Sequence, residues 1–142
     1  MDTVKVATGQ TVFPGLRYAD ARAAIAWLQR AFAAEPHVVH DDPDGTIMHA
    51  ELIIAGNTIM LGNTSDDGYP VRSLQQAQGV TAGIYVVLPA AAVVDTLHAR
   101  AAAAGANITK APYDTDYGSH EFRALDLEGH PWSFGTYKPE IG

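Results

Sequence analysis

Apolar residues recur with helical spacing in two stretches of the chain. From Asp20 the segment DARAAIAWLQRAFAAE places Ala21, Ala24, Ile25, Leu28 and Phe32 on one stripe, with Arg22, Gln29 and Arg30 off it and Asp20 placed to cap the amino end. A second stretch begins at Pro89, a residue suited to a first helical position, and puts Ala90, Val94, Leu97, Ala101 and Ala104 on one face before Gly105 stops it. Both patterns predict amphipathic helices packed on a sheet. Strand signals surround them at 12–18, 37–40, 46–54, 58–62, 81–87, 107–111, 120–125 and 131–137. Asp44-Gly45, Gly56-Asn57 and Glu128-Gly129 supply turns between neighbours.

Each half therefore reads strand, helix, three strands, and the halves overlay. A shift of 69 puts Asp20 on Pro89, Ile25 on Val94 and Leu28 on Leu97; a shift of 73 puts GNTIMLG at 56–62 on GHPWSFG at 129–135. The chain reads as an internal duplication. The extra four residues fall at Tyr113-Asp114-Thr115-Asp116-Tyr117-Gly118, a longer connection than its counterpart. The expected organisation is one domain over 1–142, with module one at about 11–62, a polar linker at about 63–79 and module two at about 80–137.

Composition narrows the function classes. Nine Lys and Arg against 16 Asp and Glu leave a formal charge of -7 in 142 residues, with no basic cluster to follow a phosphate backbone or an anionic membrane. Nucleic acid and membrane are not expected partners. The chain has no cysteine, which excludes a disulfide framework, a zinc-thiolate site and a thiol nucleophile. Residues 1–10 hold one Lys and no apolar run, so no signal peptide is expected and the expected location is cytoplasmic. The uncharged stretch between Arg72 and Asp95 is broken by Gln75, Gln76, Gln78, Gly79, Gly83 and Pro89 and reads as loop, buried strand and helix.

A duplicated unit of this kind resembles the vicinal oxygen chelate superfamily, which includes glyoxalase I, extradiol dioxygenases, fosfomycin-resistance enzymes and bleomycin-resistance proteins. The resemblance rests on Leu16-Arg17-Tyr18-Ala19-Asp20 leading into Ala24-Ile25-Ala26-Trp27-Leu28, on His49-Ala50-Glu51-Leu52, on Asp114-Thr115-Asp116-Tyr117-Gly118-Ser119, and on Asp126-Leu127-Glu128-Gly129-His130-Pro131-Trp132-Ser133-Phe134. The last segment looks like the family's DPxGxxW element, and the whole is closest in character to its uncharacterised glyoxalase/bleomycin-resistance-like branch. The fold implied is α+β: tandem βαβββ modules whose curved mixed sheets enclose a concave cleft, with helices outside. In metal-using members the resemblance implies ligands at positions that align with Phe13, Met60, Ala82 and Ser133. A phenyl ring, a thioether, a methyl and one hydroxyl are not a hard-metal ligand set, so no metal or other cofactor is expected.

The candidate chemistry lies on strand faces. His49 and Glu51 are two apart, so both point away from Ala50, Leu52 and Ile54, toward the side where the family keeps its ligand cavity. A carboxylate beside an imidazole orients a ligand or moves a proton; the plain structural alternative is a solvated face or an ion pair with Arg17. Phe13 and Arg17 share one facing of the first strand, and Phe122 aligns with His49. The expected ligand-binding set is Phe13, Arg17, His49, Glu51, Met60, Tyr117, Phe122 and Ser133, with Tyr69 a further aromatic candidate for the cavity wall or rim and Trp132 and Phe134 facing the core. His98 is expected to face solvent and His130 to be a hydrogen-bonding turn residue. A metal site from His49, Glu51, His120 and Glu121, and a calcium loop at 41–45, are lesser alternatives.

The expected function is metal-independent binding or sequestration of a small hydrophobic or cationic molecule, such as an antibiotic or a metabolite, by a homodimer. The alternative is a glyoxalase-type lyase, isomerase or dioxygenase that uses relocated metal ligands or a His49/Glu51 acid-base pair. An interaction domain without a small ligand is a third class.

Overall fold

The repeated pattern folds as two modules, each a strand, a helix and three strands. The computed structural model describes residues 9–140, so the reading of the amino terminus falls mostly on residues 1–8, outside them. Module one comprises β1 (Gly15–Tyr18), α1 (Ala21–Phe32), β2 (Glu35–Asp41), β3 (Ile47–Ile54) and β4 (Asn57–Asn63). A one-turn helix, α2 (Leu74–Ala77), sits in the connection. Module two comprises β5 (Ile84–Val87), α3 (Ala91–Ala103), β6 (Asn107–Asp114), β7 (His120–Leu125) and β8 (Pro131–Gly135). The sheets are mixed and identically ordered, β1-β4-β3-β2 and β5-β8-β7-β6, with the first strand of each module parallel to its last and the other pairs antiparallel. The architecture is the tandem α+β arrangement that the duplication implied. Among the described residues no helix is long and apolar enough to cross a membrane.

Local chemistry sets the helix ends. The Asp20 carboxylate accepts the Ala23 N–H at 3.1 Å and caps α1. Pro89 is not the first helical residue: α3 starts at Ala91, with Ala90 extended at the cap position and making no side-chain bond. Gly105, at φ +87°, takes the left-handed turn that lets Ala106 N–H return to the Ala101 carbonyl at 3.0 Å.

One apolar core spans both modules. The stripe Ala21, Ala24, Ile25, Leu28 and Phe32 is buried as its spacing predicts, and so are Trp27 and Ala31, which lie off it. The reason is that α1 packs on module one and also reaches module two. The Phe32 ring lies 4.9 Å from Phe134 and 5.2 Å from Trp132, and Trp27 Nε1 donates to the Ala104 carbonyl at 3.1 Å. Only Val94 and Ala101 of α3 are fully buried. Each sheet therefore has one face on the shared core and one face free.

Asp126, 5% exposed, ties the modules together. Its Oδ1 accepts the N–H groups of Glu128, Gly129 and His130, and its Oδ2 accepts Trp132 Nε1–H and the Tyr18 hydroxyl, which comes from β1. Burial, and then the Asp126 charge, push the Tyr18 hydroxyl well above its ordinary range, so it stays a neutral donor. Asp126→Asn places an amide against donors, and the expected loss is about 2–4 kcal/mol of stability, measured as a lower urea midpoint with an unchanged slope.

His120 clamps the outer edge of module two. Its Nδ1 is 2.8 Å from Asp114 of β6 and its Nε2 is 2.7 Å from Asp95 of α3. The hydrogen bond to Asp95, then that to Asp114, raises its pKa above the ordinary 6.5. The folded state thus favours the imidazolium: the stabilisation is complete below 6.5 and is lost as pH rises through the raised value. Melting curves of wild type and His120→Asn between pH 5.5 and 8.5 should show a wild-type advantage that shrinks with rising pH.

Candidate functional site

Strand alternation decides which side chains reach the free face of the first sheet. Along β3, Ala50, Leu52 and Ile54 are buried in the core while His49, Glu51 and Ile53 are half-buried on the other side. His49 Nε2 and Glu51 Oε2 are 2.9 Å apart, with side chains 37% and 33% exposed. Register sets Met60 of β4 beside Glu51, Gly15 of β1 beside Met60, and His40 of β2 beside His49, ring centroids 6.3 Å apart. The result is an open depression of about 160 Å³ lined by Gly15, Arg17, Met48, His49, Met60, Tyr69 and Val71. His49 lines it, while Glu51, expected there as well, lies beside His49 on the same strand face but outside the lining; the pair is suited to orienting a ligand or passing a proton at its margin.

Arg17 enters this site differently from the sequence expectation of a bond to Glu51. β4 lies between β1 and β3, so the guanidinium turns toward the connection, donating to Asp67 at 2.8 Å and to the Asn63 carbonyl at 2.8 Å beneath the Tyr69 ring, 5.5 Å from its centroid. That pairing holds the exposed Asp67 carboxyl below its ordinary value. Phe13 precedes β1, is 41% exposed and does not line the depression. Tyr69 lines the depression, as expected of an aromatic wall or rim residue, whereas Val71 went unmarked because it comes from the connection, where no periodicity marks facing.

Phe122 requires a correction. It is fully buried, with its ring against Phe134 at 5.0 Å and His98 at 5.3 Å, so it belongs to the core, and His98 packs on it instead of facing solvent. A slip of one residue in the overlay of the halves caused this. The pairs Glu51 with Met60 and Arg123 with Ser133 correspond, which makes Glu121, not Phe122, the counterpart of His49.

The free face of the second sheet carries Tyr85, Glu121, Arg123 and Ser133, with Tyr85 and Arg123 flanking Ser133 across the strands. Trp132 and Phe134, on either side of Ser133, are buried in the core as alternation requires. Glu121 is only 3% exposed because tyrosines cover it: Tyr117 Oη lies 3.3 Å from Oε2, Tyr85 Oη 3.5 Å from Oε2 and Tyr113 Oη 3.5 Å from Oε1. Burial, with the nearby carboxylate, raises the Tyr85 and Tyr117 hydroxyls above their ordinary 10, so both remain neutral at physiological pH. His130, by contrast, is a buried turn residue whose Nε2–H donates to the Arg17 carbonyl at 3.0 Å.

The donor chemistry argues against a metal at the aligned positions. Phe13 and Ala82 precede their strands, Met60 offers a thioether and Ser133 a lone hydroxyl, and Glu121, His49 and Glu51 belong to the faces of two different sheets. Among the described residues no three His, Asp or Glu side chains converge. The loop at 41–45 is a hairpin turn in which Asp44 and Asp42 bond Thr46.

A family model described as the Glyoxalase/Bleomycin resistance protein/Dioxygenase superfamily matches residues 9–134. An uncharacterised protein of Mycobacterium tuberculosis is 30% identical over 142 residues, covering 99% of this chain and 82% of the relative. The crystal structure of TioX from Micromonospora sp. ML1 superposes with a TM-score of 0.70 at 28% identity, covering 94% of this chain and 100% of the other. The fosfomycin resistance protein FosX from Listeria monocytogenes, solved with Mn(II) and sulfate, gives a TM-score of 0.65 at 16% identity over 94% of this chain and 95% of the other, a likeness of fold alone.

The Glu121 site has its own packing requirement. A Cβ on Gly135 would sit 2.6 Å from Glu121 Cγ and 2.7 Å from Tyr85 Oη, whereas one on Gly15 meets nothing within 4 Å. Gly135→Ala is expected to cost roughly 1–3 kcal/mol in urea unfolding, and Gly15→Ala less than about 0.5 kcal/mol.

Proposed function

The chain belongs to the Glyoxalase/Bleomycin resistance protein/Dioxygenase superfamily, and from that premise we propose that it binds a small hydrophobic or cationic molecule, of the kind an antibiotic or a metabolite presents, in a metal-independent site completed by a second copy of the chain. The observation that carries this reading is the free face of the first sheet. It presents His49 and Met60 at a depression of about 160 Å³, below the roughly 300–1,000 Å³ of pockets that enclose a small molecule, with Glu51 paired to His49 just outside the lining. A half-exposed imidazole-carboxylate pair on an apolar strand face gains shape and desolvation only when another surface covers it. The free face of the second sheet, with Glu121, Tyr85 and Ser133, offers complementary polar and aromatic groups. A formal charge of -7 favours cationic ligands over anionic ones.

The absence of a hard-donor set at Phe13, Met60, Ala82 and Ser133 supports binding without metal. A second reading, proton transfer by the His49/Glu51 pair in glyoxalase-type isomerase or lyase chemistry, is favoured by the 2.9 Å contact between the two side chains.

Native mass spectrometry of untagged protein tests the proposal. The expected result is a dimer of the 15.1 kDa chain that retains an organic molecule and less than a tenth of an equivalent of zinc, manganese, nickel or iron. A 15.1 kDa species at micromolar concentration, or one metal per chain, overturns it. Loss of turnover in both His49→Ala and Glu51→Gln, with ligand binding retained, would establish the second reading.

A further inference from the structure

A carboxylate that is 3% exposed needs strong donors, and Glu121 has weak ones. Tyr85 Oη spends its single proton on the Tyr137 carbonyl at 2.6 Å, leaving nothing to donate to Glu121 at 3.5 Å. On Oε2 this leaves the Tyr117 hydroxyl at 3.3 Å, and on Oε1 the Tyr113 hydroxyl at 3.5 Å, both long. Among the described residues no cation lies within ion-pair distance of Glu121. Lys110 and Arg123 are engaged with Tyr113. Lys110 Nζ is 4.7 Å from its ring centroid, and Arg123 donates to its hydroxyl at 3.0 Å.

The two carboxylate oxygens thus differ. Oε1 is closed by Tyr113 and its cations, while Oε2 lies between Tyr85 and Tyr117, whose side chains leave these residues 37% and 60% exposed. Gly135 leaves the room the cluster uses, since a Cβ there would reach 2.9 Å from Oε2. A buried carboxylate flanked by tyrosines, with only long contacts to Oε2, is matched by a cationic head group that brings both charge and N–H bonds.

We infer that the free face of the second sheet is an ammonium subsite, in which Glu121 Oε2 receives the N–H of a protonated amine held between the Tyr85 and Tyr117 rings. The amine replaces the long Tyr117 contact, and the rings supply cation–π attraction. This rests on the small-molecule binding reading above and specifies the ligand's chemistry: a primary or secondary amine, protonated at neutral pH, on an apolar body. A single carboxylate with phenolic neighbours offers too few anionic oxygens for a bare divalent cation.

The test is calorimetric titration of the full chain at pH 7.5 with benzylamine and its neutral analogue benzyl alcohol. Chemical-shift mapping locates the site at β7, β8 and the turn at 115–118. The expected result is benzylamine binding at least ten-fold tighter than benzyl alcohol, with Glu121→Gln bringing the two within two-fold. Tyr117→Phe, which keeps the ring and removes the hydroxyl, should leave the preference for benzylamine in place, whereas Tyr117→Ala should weaken benzylamine several-fold while the chain still unfolds cooperatively, and it decides the matter if Glu121→Gln does not fold. Equal affinity for amine and alcohol, or a preference that survives Glu121→Gln or Tyr117→Ala, overturns the ammonium subsite and leaves the binding reading standing. Failure of benzylamine to bind likewise overturns the ammonium subsite, while the binding reading stands or falls on the native mass spectrum.

Discussion

A buried carboxylate, Asp126, holds the molecule in its arrangement. Removing a charge from water is costly unless donors replace the hydration, and here five do so: three backbone N–H groups of one turn, one indole N–H and one phenol. The phenol is Tyr18 at the end of β1, so satisfying Asp126 requires module one to dock on the β7–β8 turn. Neighbouring residues of that turn extend the contact. Glu128 accepts the N–H groups of Ala19 and Asp20 at 2.7 and 2.8 Å, just before α1, and His130 reaches the Arg17 carbonyl. The turn closes one hairpin, caps the approach to a helix in the other module and fixes how the sheets meet.

With the modules locked, α1 becomes the central element of the core. Its Trp27 and Phe32 bridge to α3 and β8, and each sheet is left with one face on the core and one face free. The duplication supplied two such faces, and their chemistry has diverged on the same backbone. His49 corresponds to Glu121, Glu51 to Arg123, Met60 to Ser133 and Gly15 to Tyr85. The first face is an imidazole-carboxylate pair beside a thioether and a bare glycine. The second is a carboxylate under tyrosines. Identical strand order therefore places unlike groups at equivalent points, which is how one fold hosts many functions.

The sequence by itself determined the elements, because their signals are local. Helical spacing marked α1, turn residues separated the strands, and alternation sent His49 and Glu51 one way and Ala50, Leu52 and Ile54 the other, as it sent Ser133 one way and Trp132 and Phe134 the other. The internal overlay then gave the tandem arrangement. What the tertiary structure decided are relations between residues far apart in the chain. Strand order put β4 between β1 and β3 and so gave Arg17 to Asp67 instead of Glu51. Docking of α1 on the second module buried Trp27 off its predicted stripe. Register across β7 and β8 put Phe122 in the core and Glu121 under Tyr85 and Tyr117. A one-residue slip in aligning two halves exchanges the faces of a strand, and only hydrogen-bonded pairing with a neighbouring strand removes that ambiguity.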